Sequence, residues 1–595
     1  MLQRLPDSNV ALDIWSLKYR HDGEAGIADS FARVARAVSA AEAPNLRALW
    51  EGRYLALMQD FAFLPAGRIL AGAGSTREVT LFNCFVMGTI PDSIPGIFDG
   101  LKQAAQTLQQ GGGIGHDFST LRPKGAAVHG VGADASGPLS FMDVWDAMCR
   151  TIMSAGARRG AMMGTLRCDH PDIEDFVDAK RDPRRLRNFN LSVLVTDRFM
   201  AAVSADADWP LSFAGAVFKT VKARALWDRI MRATYDVAEP GVIFIDRINR
   251  LNPLAYCESI SCTNPCGEQP LPPYGACLLG SLNLTRFVDG AFSASARLDI
   301  ERLQEAAHTA IRFLDDVIDV SNYPLPQQRA EALNKRRLGL GVTGLADALF
   351  MCGLRYGSAA AAAATGQWMK AIGDAALDAS CSLAEEKGSF PLFDAGAYLS
   401  TAHADTLSPA QREMIARHGL RNGLLTSVAP TGTISLIAGN VSSGIEPIFS
   451  LAYERRVLER DGSHRSIAME DHAYRLWRMQ AGGQERPAAL VTAEELSPAE
   501  HLAMQAAAQA HVDSSISKTI NVPETLSFAA FQGVYEQAYA LGLKGCTTFR
   551  PNSVTGSILA ATQAEDKSCP SCGSFELVAR EGCTTCLSCG FAVCG

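Results

Sequence analysis

The chain has 595 residues, of which 47% are hydrophobic and 20% charged, a balance that supplies a globular core and leaves several domains or one large barrel open. Its net charge of −8 argues against the basic face that nucleic-acid binding requires. The N-terminal stretch MLQRLPDSNVALDIW lacks the regions of a signal peptide, and no uncharged apolar run nears the roughly 18 residues of a membrane span, so a cytoplasmic protein is expected.

Residues 1–60 read as a helical region, with amphipathic runs such as DSFARVARAVSAAE. From 61 to 285, short apolar runs alternate with Gly-rich turns and helical stretches, as in TLFNCFVMG, GGGIGHDF and NFNLSVLVTD. Residues 300–320 carry a helical stripe of Leu303, Ala307, Ala310, Ile311, Leu314, Val317 and Ile318. RRLGLGVTGLADALF reads as strand, turn, helix, and LLTSVAPTGTISLIAG repeats that order. Strands alternating with helices predict an α/β fold with many parallel strands. The alanine run Ala359–Ala364 reads as helical filler, and 555–568 reads as a linker.

Six of the 16 cysteines fall in 569–595, which marks a separate tail. In a cytosolic chain they do not read as a disulfide framework. CPSCG and CTTCLSCG are two C-x-x-C-G knuckles, suited to a tetrahedral thiolate zinc site. One assignment gives Zn2+ to Cys569, Cys572, Cys586 and Cys589, leaving Cys583 and Cys594 opposite each other in a hairpin. A second gives Cys583 and Cys586 to zinc and leaves Cys589 and Cys594. Either leaves a dithiol suited to thiol–disulfide exchange.

The stretch SCTNPCGEQPLPPYGACLLGSLN, 261–283, carries Asn264, Cys266 and Glu268 at alternate positions. In an extended loop that puts an amide, a thiol and a carboxylate on one face. Glu268 can serve as a general base, Asn264 can hold a hydroxyl, and Cys266 can be a nucleophile or a hydrogen-atom donor. A turn around a buried cysteine is the plain alternative. In APTGTIS, an apolar strand, LLTSV, ends in Pro430-Thr431-Gly432-Thr433 and leads into a helix, so Thr431, Gly432 and Thr433 are candidates for a phosphate cradle. A capped helix start explains the same residues. GGGIG, 111–115, lacks the Lys-Ser/Thr of a Walker loop.

These residues together resemble the large subunit of ribonucleotide reductases. N-P-C-G-E (264–268), followed by Cys277 in CLLGSLNL, is similar to that family's finger loop. FLPAGRILAGAGS, FNCFV, GGGIGHDFSTLRPKG, ARRGAMMGTLRCDHPDIEDFV, APTGTIS, SKTINVP and KGCTTFRPNS follow the family's order, so that the likeness covers roughly residues 10–595. It implies a ten-stranded α/β barrel of the ribonucleotide reductase and glycyl radical enzyme type over 61–554. The N-terminal helical region, 1–60, precedes the barrel, and a zinc-ribbon-like redox tail, 569–595, follows the linker.

The resemblance also implies a mechanism. Cys266 becomes a thiyl and removes the ribose 3′ hydrogen, Glu268 takes the 3′-OH proton, and Asn264 binds the sugar hydroxyls. Cys84 and Cys277 supply two electrons and end as a disulfide. The tail dithiol, Cys583 and Cys594, reduces that disulfide, and thioredoxin or glutaredoxin reduces the tail. Asn83, Gly113, Pro430 and Ile434 join Thr431–Thr433 as implied substrate contacts. Asp92 and Arg122 match positions that bind a deoxynucleoside triphosphate effector at a subunit interface, which implies a homodimer. A ribonucleoside diphosphate is the commoner substrate among relatives with such a tail, and a triphosphate stays open.

KGCTTFRPNS has Phe549 where the oxygen-dependent class carries a tyrosine pair, and CGFAVCG does not fit a glycyl-radical loop. Adenosylcobalamin remains as the radical source, by resemblance and elimination. FLPAGRIL departs from the family's Pro-Asn-Ser-Pro form, leaving contacts near Ala66–Arg68 open. No N-terminal ATP-binding domain is expected. Cys149, Cys352 and Cys381 read as core thiols. Cys168, Cys257, Cys262 and Cys546 carry no assigned role. His116, His170 and His501 are not at metal spacing.

Overall fold

A computed structural model describes residues 9–128, 132–152, 160–458, 464–481 and 485–551, together with short strand backbones at 560–561, 577–580, 583–586 and 592–594. The N-terminal region is helical, in Asn9–Lys18, Ile27–Ser39 and Arg47–Gln59. Its second helix buries Phe31, Val34, Ala35 and Val38, the spacing of one helical face. The region is fixed to the rest by buried polar contacts. Arg312 bonds Glu42 at 2.6 Å, and the Tyr54 hydroxyl donates to Asp316 at 2.7 Å. Those partners lie on Ile300–Val320, the helix that the apolar stripe predicts, and every stripe residue named above is buried.

Eight strands form one sheet, in the spatial order Ala276–Cys277, Cys84–Val86, Gly113–Asp117, Met162–Arg167, Phe189–Val195, Gly241–Phe244, Gly545–Phe549 and Thr519–Asn521. The pairs from Cys84–Val86 to Gly241–Phe244 are parallel, as alternating strands and helices require. A second sheet holds Phe63–Pro65, Leu279–Asn283 and Gly339–Thr343. Only Leu278 separates the strands 276–277 and 279–283, so one stretch of chain passes from the first sheet into the second.

The strand, turn and helix expected in RRLGLGVTGLADALF are present as Gly339–Thr343, a left-handed Gly344 and Leu345–Met351. LLTSVAPTGTISLIAG departs from that expectation. Its 424–428 portion is extended and bonded on both sides, with Leu340 N to Leu425 O and Val428 N to Ser515 O, yet it forms only isolated bridges. The cause is Asp513, whose carboxylate accepts the N–H groups of Leu425 and Thr426 at 2.7 and 2.8 Å. The helix after it is a single turn, Ile434–Ile437. The ladders therefore do not form one closed ten-stranded sheet. Among the described residues, no helix is long and apolar enough to cross a membrane.

Candidate active site

The finger-like segment 261–271 lies against the strand Gly113–Asp117, and a glycine makes the approach possible. A Cβ on Gly115 would sit 2.1 Å from the Thr263 carbonyl oxygen and 3.0 Å from Cys262 Sγ, closer than atoms pack. The tip is a turn. Gly267 N donates to Asn264 O at 3.1 Å, and Gly267 takes φ +80°, which glycine adopts without strain. Asn264, Cys266 and Glu268 therefore do not alternate along an extended strand as the sequence spacing suggested. The turn leaves Cys266 exposed and buries Asn264 and Glu268.

Anchors outside the motif hold this turn. The Asn190 side-chain amide donates to Pro265 O at 2.7 Å. The Glu268 carbonyl accepts from Ser427 Oγ at 2.9 Å, Ser515 N at 3.1 Å and Ser514 Oγ at 3.2 Å. Sequence patterning gave no signal for these four residues beyond their nearness to APTGTIS and SKTINVP. Asn264 Oδ1 accepts from Gln269 N at 3.0 Å, while its buried Nδ2 has no hydrogen-bond partner among the described residues.

Cys84 and Cys277 are paired across adjacent antiparallel strands, and both are buried. Burial, reinforced by the Glu268 carboxylate and by Cys84 and Cys266, pushes the Cys277 thiol well above its ordinary value. Gly113 closes over this pair, since a Cβ there would lie 3.0 Å from Cys84 Sγ. It acts as a packing residue beside the thiols.

A cavity of about 450 Å³ joins these pieces. Cys84, Cys266 and Glu268 line it together with Asn83 and with Pro430, Thr431, Gly432, Thr433 and Ile434, within the size range of small-ligand sites. Asn83 Oδ1 is buried without a partner among the described residues. Thr431 takes φ +46°, a costly conformation for a β-branched residue. It is held by Gly444 N at 2.8 Å and Thr343 Oγ1 at 3.0 Å. A Cβ on Gly432 would meet nothing within 4 Å, so this loop faces open space. Asn264, Cys277 and Gly113 are not among the residues that line it. Lys18, Tyr19 and Arg68 also line the cavity and were not identified from sequence. Lys18 ends an N-terminal helix, and Arg68 falls in the stretch left open above.

Away from the cavity, Arg122 Nε bonds Asp92 at 2.8 Å, and Arg122 NH2 donates to the Asp92 carbonyl at 3.2 Å. The two effector candidates are thus neighbours bonded to each other. In the tail, Cys583 and Cys594 are cross-strand partners in backbone register, and Cys586 pairs with Leu577. Cys569, Cys572 and Cys589 lie outside the described residues. Among the described residues, no cluster of three or more His, Cys, Asp or Glu could hold a metal. Cys149 and Cys381 are buried and Cys352 is half-buried, as expected of core thiols.

Residues 82–549 match a family model described as ribonucleotide reductase, barrel domain. The chain is 41% identical over 553 residues to a vitamin B12-dependent ribonucleoside-diphosphate reductase of Mycobacterium tuberculosis (strain CDC 1551 / Oshkosh), covering 89% of this chain and 76% of the relative. A protein of the same name from Thermoplasma acidophilum is 39% identical over 536 residues, covering 87% of this chain and 67% of the relative. A ribonucleoside-diphosphate reductase large subunit of Caenorhabditis elegans is 31% identical over 451 residues, covering 68% and 56%.

Proposed function

The chain belongs to the ribonucleotide reductase family, and on that premise we propose that it is a cobalamin-dependent oxidoreductase reducing ribonucleoside diphosphates to 2′-deoxyribonucleotides, supplying DNA precursors. The observation that carries this reading is the convergence on one cavity of Cys266, Glu268, Cys84 and the loop Pro430–Thr433, with Cys277 paired behind Cys84.

The roles follow from these positions. Thr431–Thr433 and Asn83 hold the nucleotide by its phosphates and sugar, and Asn264 Nδ2 supplies a donor toward the ribose hydroxyls. Cys266 as a thiyl takes the 3′ hydrogen atom. Glu268 accepts the 3′-OH proton, and the 2′-OH leaves as water. Cys84 and Cys277 deliver two electrons and two protons and become a disulfide. The 3′ hydrogen then returns from Cys266, so the sum is ribonucleotide plus dithiol giving deoxyribonucleotide, disulfide and water.

Adenosylcobalamin, when bound, supplies the radical that takes the hydrogen atom from Cys266. The residues fit such a group in one respect. Cys266 is exposed while its partners are buried, so the thiol is open to a group lying outside the turn. We assign no corrin contacts.

The finer architecture is part of the same reading. Residues 61–554 constitute the family's α/β barrel domain, its strands lying in the separate ladders described above, after a helical region at 1–60 and before a linker at 555–568. The tail, 569–595, carries Zn2+ on Cys569, Cys572, Cys586 and Cys589, a donor set of C-x-x-C thiolates. Cys583 and Cys594 reduce the Cys84–Cys277 disulfide and are reduced by thioredoxin or glutaredoxin, a cycle suited to the cytoplasm. Asp92 and Arg122 contribute to a deoxynucleoside triphosphate site in a homodimer.

The test is product formation from CDP and from CTP, anaerobically with dithiothreitol, with and without adenosylcobalamin. Deoxycytidine diphosphate formed only with the corrin supports the reading. Absence of product with folded protein and effectors supplied contradicts it, and deoxycytidine triphosphate alone would correct the substrate.

A further inference from the structure

A second cavity, of about 430 Å³, lies at the other end of the segment that carries the phosphate loop. Leu425 and Thr426 line it, whereas Pro430–Thr433 line the first. Their nearest lining residues, Thr426 and Ala429, are three positions apart, roughly 10 Å of extended chain, and the two linings share no residue. Leu251, Leu377, Leu407 and Leu541 give this second cavity an apolar surface.

Two of the carboxylates in its wall have direct hydrogen-bond partners. Lys370 bonds Asp374 at 2.6 Å. Asp513 accepts from Leu425 N, Thr426 N and Thr426 Oγ1 at 2.7, 2.8 and 2.9 Å. Lys544 differs. It is 5% exposed, and its Nζ donates to the main-chain carbonyls of Asp513, at 2.7 Å, and Ser514. No carboxylate touches it among the described residues. Its ammonium rests on neutral carbonyls, and the Asp513 carboxylate acts on it through space. Burial lowers its pKa to about 8, against the smaller opposing effect of the Asp513 carboxylate.

The wall holds an orphan acceptor as well. Gln509 is 9% exposed, and its Oε1 has no partner among the described residues. Its amide nitrogen is occupied by Val512 O at 3.2 Å and Ser514 O at 3.4 Å. A buried acceptor of this kind favours a ligand that donates to it.

We propose that this second cavity binds a small hydroxylated monocarboxylate. Its carboxylate meets Lys544, its apolar body meets the leucines, and its hydroxyl donates to Gln509. The site adjoins the finger turn through one residue. Ser514, whose carbonyl accepts from Lys544, also donates its hydroxyl to the Glu268 carbonyl at 3.2 Å.

The experiment titrates 4-hydroxybenzoate into the full-length protein, by calorimetry and ligand-observed NMR. Saturable one-site binding is expected, with Kd about 1 mM or tighter. Benzoate, lacking the hydroxyl, and 4-hydroxybenzyl alcohol, lacking the carboxylate, should each bind at least about tenfold more weakly. Lys544→Met should abolish binding. Leu541→Trp changes a rim residue that is 43% exposed, so it spares the core and should still weaken binding about tenfold or more. Cys266→Ser should leave binding unchanged. Absence of saturable binding would overturn the proposal. So would equal binding of the alcohol, full binding by Leu541→Trp, or displacement of the probe by CDP.

Discussion

Cys84 and Cys277 are direct cross-strand partners, one on Cys84–Val86 and the other on Ala276–Cys277. Paired residues on antiparallel strands have Cα atoms about 4.5–5.5 Å apart, inside the window a disulfide spans. The backbone is therefore already arranged for the bond. With Cys277 fully buried and Cys84 7% exposed, a large reductant cannot reach it directly. Cys583 and Cys594 share the same cross-strand relationship, which is what a dithiol relay needs at each end.

Reactivity should follow this burial. Among the ten cysteines from Cys84 to Cys546, only Cys257 and Cys266 are exposed. The thiolate is the reacting form, and burial raises the Cys277 thiol well above its ordinary value, which lowers its thiolate fraction at pH 8. Limited iodoacetamide treatment at pH 8, read by peptide mass mapping, should among these ten label Cys257 and Cys266 first, Cys84 later and Cys277 last.

The tail and the site should separate by reductant. Cys594→Ser should abolish multiple turnovers driven by thioredoxin and keep turnover driven by dithiothreitol. Initial rates with each reductant check this, and equal losses with both would contradict the relay.

Glu268→Gln keeps the side chain's size and removes the base. Turnover should fall by about 10²–10⁴-fold. The thermal midpoint should move little, because the anchors from Ser427, Ser514 and Ser515 hold the main-chain carbonyl of residue 268 and not its carboxylate. Turnover and melting curves of the purified variant check both.

Gly115→Ala should disturb the turn from behind. Its Cβ would lie 2.1 Å from the Thr263 carbonyl oxygen, a backbone contact that cannot rotate away. Destabilisation of about 1–3 kcal/mol is expected, together with at least a tenfold loss of turnover from a displaced Cys266, since a shift of about 1 Å can cost on the order of 10²-fold. Denaturant unfolding and turnover report the two effects separately.

Much of the site was legible in sequence because its parts are local motifs. N-P-C-G-E and APTGTIS were legible through their resemblance to the family, since by residue type alone a turn and a capped helix start explain them equally, and the stripe at 300–320 predicts its helix. What was not legible depends on chain segments meeting. No pattern indicates that Ser427, Ser514 and Ser515 converge on one carbonyl, or that Lys18 at the end of the N-terminal helix and Tyr19 after it reach the cavity. The alternation argument for Asn264, Cys266 and Glu268 failed because Gly267 adopts a left-handed turn, which periodicity alone does not disclose. Asp513 likewise turned an expected strand at 424–428 into isolated bridges by taking two of its N–H groups.

The most direct measurement is a single-turnover experiment on prereduced Cys594→Ser protein, with CDP and adenosylcobalamin and no external reductant, followed by disulfide mapping. The account predicts one equivalent of deoxycytidine diphosphate per chain and a new peptide linking Cys84 to Cys277. Product formed while Cys84 and Cys277 stay free, or a disulfide formed without product, would contradict it.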